Sequence, residues 1–179
     1  MEIVNFFEKL AGKWFSQRTT HDLATQQSKA GKSDLEAELL TSADADVEQL
    51  CKSLSVDPSF VLCGLKVIQK STVEGNPKQQ FGSALIVPLT PEPGTPEGIT
   101  EGTLLSHTAS HPPTQSRYSL ANEVLTIETT DGNTHAQERW WFITDNLRMR
   151  TSVLKHQDGS QVASFCSEIR MGGHKPPTS

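Results

Sequence analysis

The sequence predicts an all-β fold of ten short antiparallel strands joined as an up-and-down meander. Three observations carry this reading. Polar and apolar residues alternate in runs from Lys13 to Met171, Gly/Asn/Asp turn clusters separate the runs, and only two stretches show a helical period. Closing such a sheet removes its adhesive edges, and a barrel of this size can enclose one small molecule; two packed sheets are the structural alternative. A single composition regime makes residues 1–171 one domain, within the ~100–200 residues usual for one. Residues 172–179 read as a flexible tail.

The first element is a helix. Ile3, Phe6, Phe7 and Leu10 recur at helical spacing and Gly12 stops the run, giving a short amphipathic segment that lies against the body. Strands follow at Lys13–Leu23 and Lys32–Thr41. A second helix spans Ala43–Ser55, where Ser42 or Asp44 can cap it, Val47, Leu50, Cys51 and Leu54 form its stripe, and Asp57-Pro58 ends it. The remaining strands are Val61–Val73, Gln80–Leu89, Ile99–Ala109, Ser116–Leu120, Val124–Thr130, Gln137–Thr144, Leu147–His156 and Gln161–Met171. Turns fall at Glu74-Gly75-Asn76-Pro77, Asp131-Gly132-Asn133, Thr144-Asp145-Asn146 and Asp158-Gly159-Ser160, and the Pro-rich stretch 90–98 is an exposed loop.

Composition excludes several function classes. A net charge of −5 with no long basic run argues against a nucleic-acid surface. No apolar stretch reaches the ~18–20 residues that span a bilayer, and the acidic N-terminus is unlike a signal peptide, so the chain reads as cytoplasmic or stromal. Cys51, Cys63 and Cys166 are odd in number and form no CxxC pair, which argues for reduced, structural thiols rather than disulfides or zinc ligands. The His107/His111 pair is followed directly by Pro112-Pro113, so it leaves helical geometry and no metal site is expected.

Strand parity locates the candidate chemistry, because successive side chains point to opposite faces. Arg148, Arg150 and Ser152 share one face; Leu147, Met149 and Val153 share the other. Ser164, Cys166, Glu168 and Arg170 oppose Phe165, Ile169 and Met171. Glu138, Trp140 and Phe142 oppose Arg139, Trp141 and Ile143, and Trp14, Ser16, Arg18 and Thr20 oppose Phe15, Gln17, Thr19 and His21. Two readings are open. Either the charged face is solvated, or it lines a polar cavity while the apolar face is covered by the N-terminal helix or a neighbouring subunit. In the second case paired arginines bind ligand carboxylates bidentately and Glu168 accepts from ligand N–H groups.

Several of these segments resemble the S-type phycobiliprotein lyases, the family called CpcS, CpeS and CpcU. They are Lys13-Trp14-Phe15-Ser16-Gln17-Arg18-Thr19-Thr20-His21, Gly31-Lys32-Ser33, Glu138-Arg139-Trp140-Trp141-Phe142, Asn146 to Lys155 and Ala163 to Met171. The resemblance runs in the same order from about Ile3 to Met171. It departs at Thr25-Gln26-Gln27-Ser28-Lys29, where further histidine and basic residues are usual, and from Gly64 to Gln80, which lacks tryptophan.

The resemblance implies a lipocalin-like barrel of ten antiparallel strands with a helix at one end. It implies an enzyme, a lyase that binds a phycobilin, phycocyanobilin foremost, as substrate rather than as a prosthetic group. The bilin passes to a cysteine of an apo-phycobiliprotein subunit of the phycocyanin or allophycocyanin type, forming a thioether at the ring-A ethylidene. On the matching positions, Arg148 and Arg150, with Arg18, would clamp propionates; Glu168, with Glu138 second, would hold pyrrole nitrogens or relay a proton. Trp14 and Trp140 would pack on the π-surface, and Ser152 and Arg170 would orient these groups. A carrier without transfer activity, or a U-like subunit working beside an S-type partner as a heterodimer, stays open, as do a homodimer and a carrier of other anionic lipids.

Overall fold

The computed structural model describes residues 1–172, so the tail expected over residues 172–179 lies, beyond Gly172, outside the described residues. In chain order the elements are α1 (Ile3–Leu10), β1 (Gly12–Asp22), β2 (Gln27–Leu40), α2 (Ala45–Ser53), β3 (Gly64–Val73), β4 (Asn76–Pro88), β5 (Ile99–Thr108), β6 (His111–Ala121), β7 (Val124–Asp131), β8 (Thr134–Thr144), β9 (Leu147–Lys155) and β10 (Gln161–Arg170). Each strand pairs antiparallel with the next, and β1 pairs with β10 to close the barrel. The sandwich alternative is thereby excluded.

The hairpins β1–β2, β3–β4, β5–β6, β7–β8 and β9–β10 all turn at one end, and α1, entering β1 at the other, plugs that opposite end. Its four apolar side chains drive this. Ile3, Phe6, Phe7 and Leu10 are buried against inward residues of the barrel, among them Leu65, Leu104, Tyr118, Leu125 and Trp140. Each large apolar side chain taken from water contributes about 1.5–3 kcal/mol. α1 therefore does not lie over the apolar outer face of β8–β10, where the sequence allowed it.

α2 instead covers an outer wall. Val47, Leu50 and Cys51 pack on Leu85, Val87 and Leu105 of β4 and β5. Of the two capping candidates, Asp44 occupies the N-cap position. Its carboxylate turns back to accept from the backbone N–H and hydroxyl of Thr41 at 2.7 and 3.1 Å rather than from a helix N–H.

β8 begins three residues earlier than the sequence predicts, at Thr134, and β2, β4 and β6 begin four or five earlier, at Gln27, Asn76 and His111. For β2, β4 and β6 the reason is one-sided pairing near the open end. β4 meets β5 only from Ala84, and β6 meets β7 only from Arg117, so Pro77, Pro112 and Pro113 extend strands without breaking a ladder on both sides. β3 begins later than predicted, at Gly64, because Pro58–Phe60 forms a 3-10 turn and Val61 makes only an isolated bridge to Leu89.

Candidate functional site

Closure turns the charged parity set inward, which decides between the two readings of that face. Glu168 is 0% exposed and Arg148 4%, and Ser16, Ser33, Ser71 and Ser116 are also buried. The antiparallel register sets Glu168 opposite Arg148, Cys166 opposite Arg150 and Ser164 opposite Ser152 across β9–β10. Across β1–β10 it sets Ser16 opposite Glu168 and Arg18 opposite Cys166.

At the centre stands an ion triad. Arg148 Nε donates to Glu168 Oε2, and Arg150 Nε lies 3.8 Å from Glu168 Oε1. Oε1 is buried and has no hydrogen-bond partner among the described residues. Burial by itself would raise the Glu168 carboxyl, but the Arg150 and Arg148 charges outweigh it and hold the group below its ordinary value. Burial pushes Arg148 down to about 10 against the opposing pull of Glu168. Arg150 is also desolvated, yet Glu168 and Glu138 together raise it. At neutral pH the site holds a carboxylate and two guanidinium ions.

Above the triad, toward the open end, a cavity of about 190 Å³ is lined by Arg18, Glu138, Arg150, Ser152, Ser164 and Cys166, with Thr151. Trp140 forms part of its support: Arg150 stacks over the indole at 4.8 Å, and Trp140 Nε1 donates to Glu138 Oε2 at 3.1 Å. The Ser152 and Ser164 hydroxyls bond each other at 2.6 Å. Burial raises the Cys166 thiol, a shift that Arg150 opposes.

Below the triad the arrangement is different. Two guanidinium groups stack on the Trp14 indole, Arg148 at 4.1 Å and Arg170 at 4.2 Å, and its N–H donates to the Leu10 carbonyl at 3.0 Å. Arg148 Nη1 donates to the same carbonyl at 3.0 Å. Arg170 donates to the carbonyls of Lys9, Ala11 and Asp145 at 2.8, 2.7 and 3.1 Å. These contacts complement the negative end of α1 and satisfy its last carbonyls. Of the residues singled out from sequence, the structure thus gathers Arg18, Glu138, Trp140, Arg150 and Ser152 around the cavity, with Glu168 and Arg148 beneath. Trp14 and Arg170 instead lie at the closed end, bound to α1.

The family model of CpeS-like proteins matches residues 2–171. The chain belongs to the CpeS-like family. A protein named chromophore lyase CpcS/CpeS from Thermosynechococcus vestitus is 40% identical over all of this chain and 98% of its own length. One of the same name from Trichodesmium erythraeum is 35% identical, covering 95% of this chain and 98% of its own. The solved structure of the S-type phycobiliprotein lyase CPES from Guillardia theta superposes with a TM-score of 0.83 at 26% identity, covering 97% of this chain and 95% of that one. With these relatives the CpeS-like chain is an enzyme of the lyase class.

Sequence reasoning left out two features of the CpeS-like barrel. The Leu10 carbonyl, which receives both Trp14 and Arg148, is a backbone atom and leaves no side-chain signal. Ser164, placed on the charged face by parity but given no role, is the other, and its position opposite Ser152 comes from the β9–β10 register.

Proposed function

We propose that the barrel binds a phycobilin, an open-chain tetrapyrrole with two propionates, and promotes its attachment to a cysteine of a phycobiliprotein subunit. The observation that carries the reading is Oε1 of Glu168, which accepts no hydrogen bond and is only loosely ion-paired with Arg150, buried beneath a polar cavity. A buried acceptor without a donor costs about 1–3 kcal/mol, and pyrrole N–H groups supply the missing donors. Family membership supports the ligand class: one relative, 29% identical, is named phycocyanobilin lyase subunit CpcS.

The roles divide by position. Arg150 and Arg18 face the cavity and take propionates; Arg148, already engaged with Glu168 and the Leu10 carbonyl, holds the carboxylate in place. Glu168 is ionised at neutral pH, so it accepts from pyrrole N–H and favours the protonated tetrapyrrole rather than donating a proton itself. Trp140 and Glu138 fix the Arg150 side of the cavity. The enclosed 190 Å³ is smaller than the ~300–1,000 Å³ of typical ligand sites, so the rest of the ligand extends through the open end, where an acceptor can reach it.

The bond-forming step uses no nucleophile of this chain. The acceptor's sulfur adds to the ring-A ethylidene carbon, and the thiol proton ends on the tetrapyrrole; the barrel positions the bilin and shields it from side reactions. The test is to mix the protein with phycocyanobilin, follow visible absorption, then add apo-phycocyanin β subunit and assay acid-stable colour. A red-shifted complex and accelerated adduct formation are expected, both lost in Arg150→Ala. A shift without transfer would reduce the role to a carrier or partner-dependent subunit, and the absence of any shift would refute the ligand class.

A further inference from the structure

We propose that the free edge of β4 around Phe81 is where an extended, cysteine-bearing segment of the acceptor subunit adds as a further strand. This rests on the reading of the barrel as a bilin-transferring lyase and names how its second substrate docks. Two ladders split toward the open end, β4 from β5 beyond Ala84 and β6 from β7 beyond Arg117. The β6 side is blunted: Pro112 and Pro113 carry no N–H, and the hydroxyls of Ser116 and Thr129 bond across the split at 2.6 Å. The β4 side is not.

Two contacts fix the backbone directions there. The Ser83 carbonyl accepts from the Ala109 N–H at 3.2 Å, on the β5 side, whereas the Gln80 carbonyl accepts from the Ser71 hydroxyl of β3. Main-chain groups alternate sides along a paired strand, so the N–H and C=O of Phe81 point away from β3 into the split, where no described strand meets them. Sheet edges are ordinarily guarded by proline or charge. Here Pro77 and Lys78 guard only the tip, and Gln79-Gln80-Phe81-Gly82-Ser83 has neither.

The side chains along this edge suit a strand on the other side of it. Leu85 and Val87 pack on α2, so Phe81 and Ser83 face outward and Gly82 inward. Phe81 is 74% exposed, the most of any large apolar side chain among the described residues. Past Ser83 on the same outer wall, a groove of about 400 Å³ opens beside α2, lined by Leu50, Ser83, Leu85, His107 and Pro113. On the inner side a Cβ at Gly82 would meet no described atom within 4 Å, so the mouth is open there.

Unpaired main-chain N–H and C=O groups are matched by another extended backbone, which gains affinity from the ladder and specificity from alternate side chains. An added strand sends successive side chains inward and outward. The acceptor's cysteine then enters the open end, where the bilin extends beyond the small cavity. Its neighbours in the segment face outward, an apolar one against Phe81 and the groove. A second copy pairing through the same edge would block this entrance, and β10 ends at the closed end, so the residues after Gly172 start the length of the barrel away.

Phycocyanobilin-loaded protein and apo-phycocyanin β subunit test the edge. Phe81→Ala removes the ring; Phe81→Pro removes the ring and the N–H that faces the split, and a proline there breaks no ladder. Both variants should keep the far-UV circular dichroism and the visible spectrum of the wild-type bilin complex. The KM for the acceptor should rise about threefold in Phe81→Ala and about tenfold in Phe81→Pro, the further step being the worth of one hydrogen bond, with kcat little changed. Hydrogen exchange of the wild type needs no variant: the Phe81 amide should slow when the bilin-loaded protein meets a β subunit whose target cysteine is replaced by serine. An unchanged KM in Phe81→Pro, or a Phe81 amide that exchanges equally fast with and without that acceptor, overturns the proposal. A smaller mass in sedimentation for Phe81→Pro with an unchanged KM would give the edge to a second copy instead. A wild type that forms no coloured complex refutes the bilin reading, and the docking proposal with it, whereas transfer that is indifferent to Phe81 refutes the docking alone.

Discussion

Glu168 is fully buried against Arg148, itself nearly so, and beside Arg150, which is partly exposed to the cavity, so its charge matters more than its shape. Glu168→Gln keeps the volume but leaves Arg148 and Arg150 facing an amide. Breaking a buried pair from one side costs roughly 3–5 kcal/mol, and a loss of that order in urea denaturation is expected; a loss under about 1 kcal/mol would mean that water already screens the site. At this scale parity was informative. It placed Arg148, Arg150 and Ser152 on one face of β9, and Cys166 and Glu168 on one face of β10. Which face was inside was not legible, because charged faces are ordinarily solvated and only barrel closure turns this one inward. Nor was the stack of Arg148, Trp14 and Arg170 legible, since it depends on where the last carbonyls of α1 lie.

At the scale of elements, strands with turn signals and the amphipathic run of α1 were readable, while strand starts near the open end were not. Proline argued for loops at residues 77, 112 and 113, and nothing local told that those stretches pair on one side only. One turn also escaped notice. Ala121 pairs with Val124, so Asn122 and Glu123 form a two-residue hairpin loop with φ of +50° and +61°. Positive φ at both positions marks a type I′ turn, which prefers Asn-Gly. Glu123 therefore sits in a conformation that costs an L residue roughly 1–2 kcal/mol, less whatever Gly loses in unfolded-chain entropy. Glu123→Gly should raise stability by about 0.5–1 kcal/mol, read as a higher urea midpoint with an unchanged slope; a lowered midpoint would show that the Glu123 side chain compensates its strain. At the other end, Phe6→Ala should cost about 3–5 kcal/mol, because α1 has no side-chain cap and stays docked through its apolar face and the carbonyl bonds to Arg148 and Arg170.

The molecule as a whole is closed at one end by α1 and open at the other, and its pH response follows from what the interior holds. Glu168 has a folded-state value below the ~4.3 of an unfolded glutamate, so its contribution is present above that value and is lost as pH falls through the folded one. Cys63 and Tyr118 behave oppositely. Burial raises them to about 11 and about 12 from 9.0 and 10.0, so their contributions are present below pH 9–10 and are lost as pH rises through those folded values. Stability should thus be flat near neutrality and fall below about pH 4 and above about pH 9, with the acid limb shallower in Glu168→Gln. The open end carries the functional consequence. Its hairpins extend past the shared ladders, β4 unpaired with β5 before Ala84, so their amides open more readily than those of the closed end. A ligand held between Glu168 and the rim must order that end, while α1 and its cluster are already packed. Hydrogen exchange with phycocyanobilin present should therefore slow at β3–β4, β7–β8 and β9–β10 turns and leave α1 unchanged. Slowing confined to α1 would place the ligand at the closed end, against Trp14 and Arg170, and would reverse the assignment of the mouth.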